Sequence, residues 1–229
     1  MIGASKVLSV SNHYCLVVEL RVRDMSVHFV EHGADDVLRL LLGFADAVVG
    51  HLPVLLVGHS AGGYYAREMA AQRSQQVAGL ALVCPLLDDV GDVPAHQPVV
   101  ADPDLGDEEF RGYFVQQTPG MYERYEKYVA PGTLLTDWAA MERIGQHWTF
   151  TAPAADPYPG PTLVVAGRQD SVVGCAAAVG AIASHLPATV AVIDGAGHAL
   201  PHEQPDVLDG LLRQWLGRVD AQVGRGALR

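Results

Sequence analysis

The sequence predicts an α/β protein, a mostly parallel sheet with helices on both faces and a helical cap inserted into it. Three observations carry that prediction. Apolar runs of strand length alternate with amphipathic stretches of helix length in the early and late parts of the chain. Between them, residues 86–160 break the pattern and are rich in Pro, Asp and Tyr. At residues 52–70, "LPVLLVGHSAGGYYAREMA", an unbroken apolar run passes through a glycine-flanked turn directly into helical spacing.

The elements follow in order. "YCLVVELR" (14–21) and "SVHFVE" (26–31) read as short strands around the polar turn "VRDM", a hairpin. "ADDVLRLLLGFADAVVG" (34–50) reads as a helix with Asp35 and Asp36 in its first turn and Val37, Leu40, Leu41, Phe44 and Val48 on its apolar face. Pro53 to Val57 is a buried strand. After the turn, Tyr64, Tyr65, Ala66, Met69 and Ala70 recur at helical spacing, and "VAGLALVCP" (77–85) is a further strand. Residues 86–160 hold helices around "MYERYEKYV" and "TDWAAMERIGQHW" between long loops such as "VPAHQPVVADPDLGDEE". Strand and helix then return as "PTLVVAG", "GCAAAVGAIASHL", "ATVAVID" and "QPDVLDGLLRQWLGRV". The expected organisation is a core of residues 1–85 and 161–220, a cap of 86–160 and a loose tail of 221–229.

Composition narrows the function. Of 229 residues, 49% are hydrophobic and 18% charged, and the net charge is -11. No basic cluster is available for a phosphate backbone, so nucleic acid is not an expected partner. Cys15, Cys84 and Cys175 are odd in number and show no CxxC spacing, which suits buried thiols in a reducing compartment. The N-terminus makes a poor signal peptide and no run reaches membrane-spanning length. The expected setting is cytoplasmic, without a membrane partner, metal or cofactor.

The turn at Gly58-His59-Ser60-Ala61-Gly62 carries chemistry if Ser60 is activated. Glycines two residues either side let neighbouring backbone approach a serine held in strained geometry, and the following helix points its first amides at charge developing nearby. The N–H of Ala61 is one candidate oxyanion donor. A serine hydroxyl needs a histidine base and a carboxylate to orient it, and parallel sheets put functional loops at the carboxyl ends of their strands. Asp170 follows "TLVVAG" and His198 follows "ATVAVID", in the chain order Ser, Asp, His. Each has a plainer alternative: Asp170 as a helix cap, Asp88, Asp89 or Asp194 as the acid, and His202 as the histidine. His59 is expected to pack or hydrogen bond, and His202 and Glu203 to open the last helix.

"VLLVGHSAGGYYAREMA", "PGPTLVVAGRQDSVVG" and "VIDGAGHALPHEQPDVLDGLLRQWL" together resemble the α/β-hydrolase family: its nucleophile elbow, its acid-bearing segment, and its histidine loop and last helix. The resemblance spans residues 34–218 and implies that Ser60, Asp170 and His198 are nucleophile, acid and base, with residues 86–160 in the place of the family's cap. The front departs from the pattern. The strand that ends in the family's His-Gly oxyanion loop, its helix and the next strand are missing between the hairpin and residue 34; His32 and Gly33 spell the dipeptide but precede a helix. That departure leaves the elbow strand to pair with the hairpin or with a second copy in a homodimer. The resemblance implies a serine hydrolase acting on an ester or similar small acyl compound. The alternatives are an acyltransferase or thioesterase using the same triad, and a hydrolase-like protein impaired by a missing oxyanion donor. Cap aromatics Phe110, Tyr113, Phe114, Tyr122, Tyr125, Trp138 and Trp148 are expected either to wall an acyl pocket or to hold the cap to the body.

Overall fold

The computed structural model describes residues 6–10, 33–87, 93–176, 180 and 188–226. The expected hairpin at 14–31, Asp88, Asp89 and most of the helix expected over 174–186 lie outside them.

Among the described residues, five strands make one parallel sheet in simple sequence order: β1 (Lys6–Val10), β2 (Val54–His59), β3 (Val77–Val83), β4 (Thr162–Gly167) and β5 (Ala188–Ile193). Helices α1 (Ala34–Val48) and α2 (Ala61–Gln72) flank β2, and α8 (Pro205–Gly226) closes the chain. A parallel pair cannot be joined by a tight turn, so α2 crosses a face of the sheet between β2 and β3.

Side-chain alternation sorts the core onto the two faces. Leu56, Leu80, Leu82, Val164 and Ala166 pack with Ala34 and Leu38 of α1 and Tyr64, Tyr65 and Met69 of α2. Ala81, Val83, Leu163 and Val165 pack on the other side with Trp215 and Val219 of α8. Each large side chain removed from water in this way contributes roughly 1.5–3 kcal/mol. The Trp215 indole N–H also donates to the Pro161 carbonyl at 3.0 Å, so its one polar atom is satisfied inside the core.

Three expectations need correction. The elbow strand β2 has both of its edges filled from within the chain, pairing in parallel with Lys6–Val10 on one side and with β3 on the other, where the expectation was the hairpin or another chain. A run as short as "KVLSV" has no strand signal of its own; a partner distant in sequence makes it one. The packed face of α1 is Ala34, Val37, Leu38, Leu41, Leu42 and Ala45, while Val48 is exposed. "LRLLLGF" is apolar around most of its circumference, so periodicity could not choose the stripe. Finally, α8 continues through the first residues of the expected loose tail to Gly226.

Between β3 and β4 the chain builds α3 (Glu108–Tyr113), α4 (Pro119–Tyr128), α5 (Ala130–Thr133) and α6 (Trp138–Gln146). Asp107, Thr118 and Asp137 cap α3, α4 and α6 by accepting the N–H of Phe110, Met121 and Ala140. Phe110, Phe114, Tyr125 and Val129 form a small core of their own that closes on Ala199. Most of the aromatic expectation therefore resolves into packing within this segment between β3 and β4. Trp138 stands exposed, and Trp148 lies against Tyr64 on α2. Among the described residues no helix is long and apolar enough to cross a membrane.

Candidate active site

Ser60 is the pivot between β2 and α2. It sits at φ 55°, ψ -127°, a left-handed conformation that a non-glycine residue adopts at a cost of about 1–3 kcal/mol. The surroundings hold it there. Its N–H donates to the Val83 carbonyl at 3.0 Å, and its carbonyl accepts from Gly63 at 2.8 Å and Leu86 at 3.0 Å. Gly58 is the reason the strand and helix can meet so closely. A Cβ there would collide with the Gly62 carbonyl and lie 2.6 Å from the Gly63 nitrogen, all of it backbone that cannot step aside. Ala61 opens α2, where a helix N–H has no acceptor within its own helix.

The structure brings Ser60, His198 and Asp170 into one line. His198 Nε2 lies 2.8 Å from Ser60 Oγ, and its Nδ1 lies 2.8 Å from Asp170 Oδ2. All three side chains are shielded from solvent, at 1%, 2% and 0% exposure. The tautomer follows from donor and acceptor capacity. A carboxylate can only accept, so Nδ1–H donates to Asp170 and Nε2 is left to accept from the serine hydroxyl.

Asp170 is itself oriented. Its Oδ1 accepts the N–H of Val172 and of Val173, each at 2.9 Å, leaving Oδ2 for the imidazole. Burial alone would raise its pKa. The hydrogen bond and charge of His198, with the two amides, outweigh that and hold the carboxyl below its ordinary value.

The loop that carries His198 is fastened at nearly every backbone group. The Gly195 carbonyl accepts from Gln116 Nε2 at 2.8 Å and Gln204 Nε2 at 3.3 Å. Ala196 exchanges hydrogen bonds with Gln169, and Gly197 N–H donates to Glu203 Oε2 at 2.7 Å. The Gly197 carbonyl faces the Cys84 thiol at 3.7 Å, and the His198 carbonyl accepts from His59 Nε2 at 2.9 Å. Tyr113, at the end of α3, makes an edge-on ring contact with the imidazole at 5.9 Å.

Of the alternative assignments, Asp88 and Asp89 lie outside the described residues, and Asp194 and His202 both stand apart from the line. Asp194 is exposed and pairs with Arg168 and Gln169, not with His198. His202 packs its ring against Phe114 and Tyr128, and burial, with the nearby Arg124 charge, lowers its pKa. His59 hydrogen bonds as expected, although its acceptor is the backbone of His198. Sequence reasoning underrated Glu203. It is 7% exposed and accepts from Val115 at 2.6 Å and Gln116 at 3.1 Å as well as from Gly197. Burial pushes its carboxyl above the ordinary value, against the pull of the three amides. A charged residue five places after the candidate base, at the start of an apolar helix, was the available signal.

Among the described residues, His59, Cys84 and His198 form the one group of possible metal donors, with ligand atoms within 4.8 Å of one another. Their chemistry does not suit a metal. Both nitrogens of His198 are engaged in the line to Ser60 and Asp170, and His59 and Cys84 are spent on the histidine loop. Burial, aided by the Asp170 charge, pushes the Cys84 thiol well above its ordinary value, away from the thiolate a metal requires.

A family model described as "Alpha/beta hydrolase family" matches residues 9–210. No curated protein matches the chain. Among solved structures, an alpha/beta superfamily hydrolase from Oenococcus oeni PSU-1 is similar at 21% identity, with 82% of this chain and 75% of that one covered and a TM-score of 0.75. A serine hydrolase involved in carbazole degradation is similar at 22% identity, covering 84% and 74% with a TM-score of 0.60. An alpha/beta hydrolase fold protein from Chitinophaga pinensis is 16% identical over 81% and 72%, with a TM-score of 0.58. At such identities the likeness is one of fold.

Proposed function

Because the chain belongs to the alpha/beta hydrolase family, we propose that it is a serine hydrolase cleaving a carboxylic ester or similar small acyl compound. The observation that carries the reading is the buried hydrogen-bonded line from Ser60 through His198 to Asp170. Ser60 Oγ attacks the carbonyl carbon as His198 Nε2 takes the hydroxyl proton, and Asp170 stabilises the imidazolium that results. The Ala61 amide, at the positive end of α2, donates to the oxygen on which charge develops. Collapse of the tetrahedral intermediate breaks the bond to the leaving group, which takes the proton from Nε2. A water then gives a proton to the same nitrogen and attacks the acyl-enzyme, releasing the acid and restoring the serine. Burial of all three side chains strengthens each of these electrostatic contacts.

The test is hydrolysis of a short-chain p-nitrophenyl ester by the purified protein and by Ser60→Ala, with fluorophosphonate labelling mapped to its residue. Activity that vanishes in the variant, with label on Ser60 of the wild type, is the expected result. Activity that survives in Ser60→Ala, or a folded wild type that takes no label, overturns the assignment.

A further inference from the structure

Glu203 has no place in the reaction just described, yet it is a buried carboxylate that no Lys or Arg pairs among the described residues. Burying a charge costs several kcal/mol unless hydrogen bonds replace the lost water. Here three backbone amides do so, from two separate parts of the chain. Oε1 accepts from Val115 and Gln116, just beyond α3 in the cap. Oε2 accepts from Gly197, the residue before His198. Glu203 is on the short helix α7 (Leu200–Glu203), so the carboxylate spans from cap to histidine loop with no intervening group.

Two further contacts join the same pair of segments. Gln116 Nε2 donates to the Gly195 carbonyl at 2.8 Å. A Cβ on Gly197 would lie 2.9 Å from Val115 Cγ1, so the histidine loop and the cap touch directly at a position without a side chain. The cap segment and the loop of His198 therefore share one backbone framework.

We propose that Glu203 is a positioning residue that couples the cap to the base: its carboxylate sets the Gly197–His198 backbone against Val115 and Gln116, so that the imidazole is aligned on Ser60 only when this part of the cap is docked. The inference rests on the reading of His198 as the base. Its physical content is geometric. A misplacement of about 1 Å in a catalytic group can cost on the order of a hundredfold in rate.

Glu203→Gln keeps the shape and replaces one oxygen by a donor. If the remaining oxygen stays on Val115 and Gln116, the new NH2 faces the Gly197 N–H, donor against donor. The experiment measures p-nitrophenyl ester kinetics, the fluorophosphonate labelling rate constant normalised to titrated active sites, and the unfolding temperature, for wild type, Glu203→Gln and Gln116→Ala. Expected for Glu203→Gln is a fall of about tenfold to a hundredfold in kcat and in the labelling rate constant, with KM within about twofold. A purely structural role would lower the unfolding temperature and the number of titratable sites but not the rate constant per site. Gln116→Ala, which breaks a side-chain link and leaves the carboxylate intact, is expected to lower kcat about threefold without changing KM, and carries the test should Glu203→Gln fail to fold. A per-site rate constant within twofold of wild type in Glu203→Gln, or in Gln116→Ala where it alone folds, overturns the inference. A wild type that takes no label at Ser60 instead overturns the triad reading, and this inference with it.

Discussion

Replacing Asp170 by Asn tests the proposed catalytic geometry at its most constrained point. Asp170 Oδ1 already accepts two amides, Val172 N–H and Val173 N–H at 2.9 Å each, and Oδ2 faces His198 Nδ1 at 2.8 Å. An Asn amide has one oxygen to share between those two sides. Turning its NH2 towards the two amides would leave two buried donors facing a third, at about 1–3 kcal/mol for each one unsatisfied. The oxygen therefore stays with Val172 and Val173, and the NH2 takes the place of Oδ2. His198 must then accept at Nδ1 and carry its proton on Nε2. In that tautomer it cannot receive the proton of Ser60, although every hydrogen bond in the site is satisfied. The fold should survive while the chemistry does not. The expected loss is on the order of 10⁴ in kcat, the size seen when a triad carboxylate is made an amide, or about 5 kcal/mol of transition-state stabilisation. The assay is kcat on a p-nitrophenyl ester beside a thermal unfolding curve. A folded Asp170→Asn within tenfold of wild-type kcat would refute the tautomer argument and the role given to Asp170.

Three other outcomes follow from named contacts. Gly58→Ala should unfold at a clearly lower temperature and lose hydrolysis, because the added Cβ meets the backbone of Gly62 and Gly63; Gly43→Ala, exposed on α1 with nothing within 4 Å, should instead be stabilised by about 0.5–1 kcal/mol, and equal behaviour of the two would contradict the close-approach argument. Cys84 is fully buried with its thiol pKa raised, so peptide mapping after iodoacetamide treatment of the native protein should find Cys175 alkylated before Cys84; the reverse order would show the thiol to be accessible. His202 has its pKa lowered below the ordinary 6.5 by burial and Arg124. Its neutral form is favoured by the fold, so the stability it contributes is present above pH 6.5 and is lost as the pH falls through its lowered folded value. His202→Asn should therefore flatten the decline of unfolding temperature on the acid side of pH 6.5, and an unchanged slope would assign that decline to other groups.

The candidate site was legible because its parts carry local physical signals. Glycines at 58 and 62 around a serine mark backbone that must pass close to backbone, and strand-length apolar runs before Ser60, Asp170 and His198 put all three at carboxyl ends of parallel strands. Those signals depend on residues adjacent in the chain, which is why order and spacing were enough to favour Asp170 over Asp194 as the carboxylate that meets His198. What they could not reach is everything made by contact across distance. "KVLSV" becomes a strand by pairing with Val54 to Gly58, a relation invisible in five residues taken alone. The stripe of α1 that faces the sheet was chosen by its neighbours from a helix apolar nearly all round. Glu203 looked like the entry to a helix, because its three partners lie at Val115, Gln116 and Gly197, and a carboxylate's value depends on which amides surround it once water is gone. Local sequence specifies which groups can do chemistry; the packed chain specifies which of them are held still enough to do it.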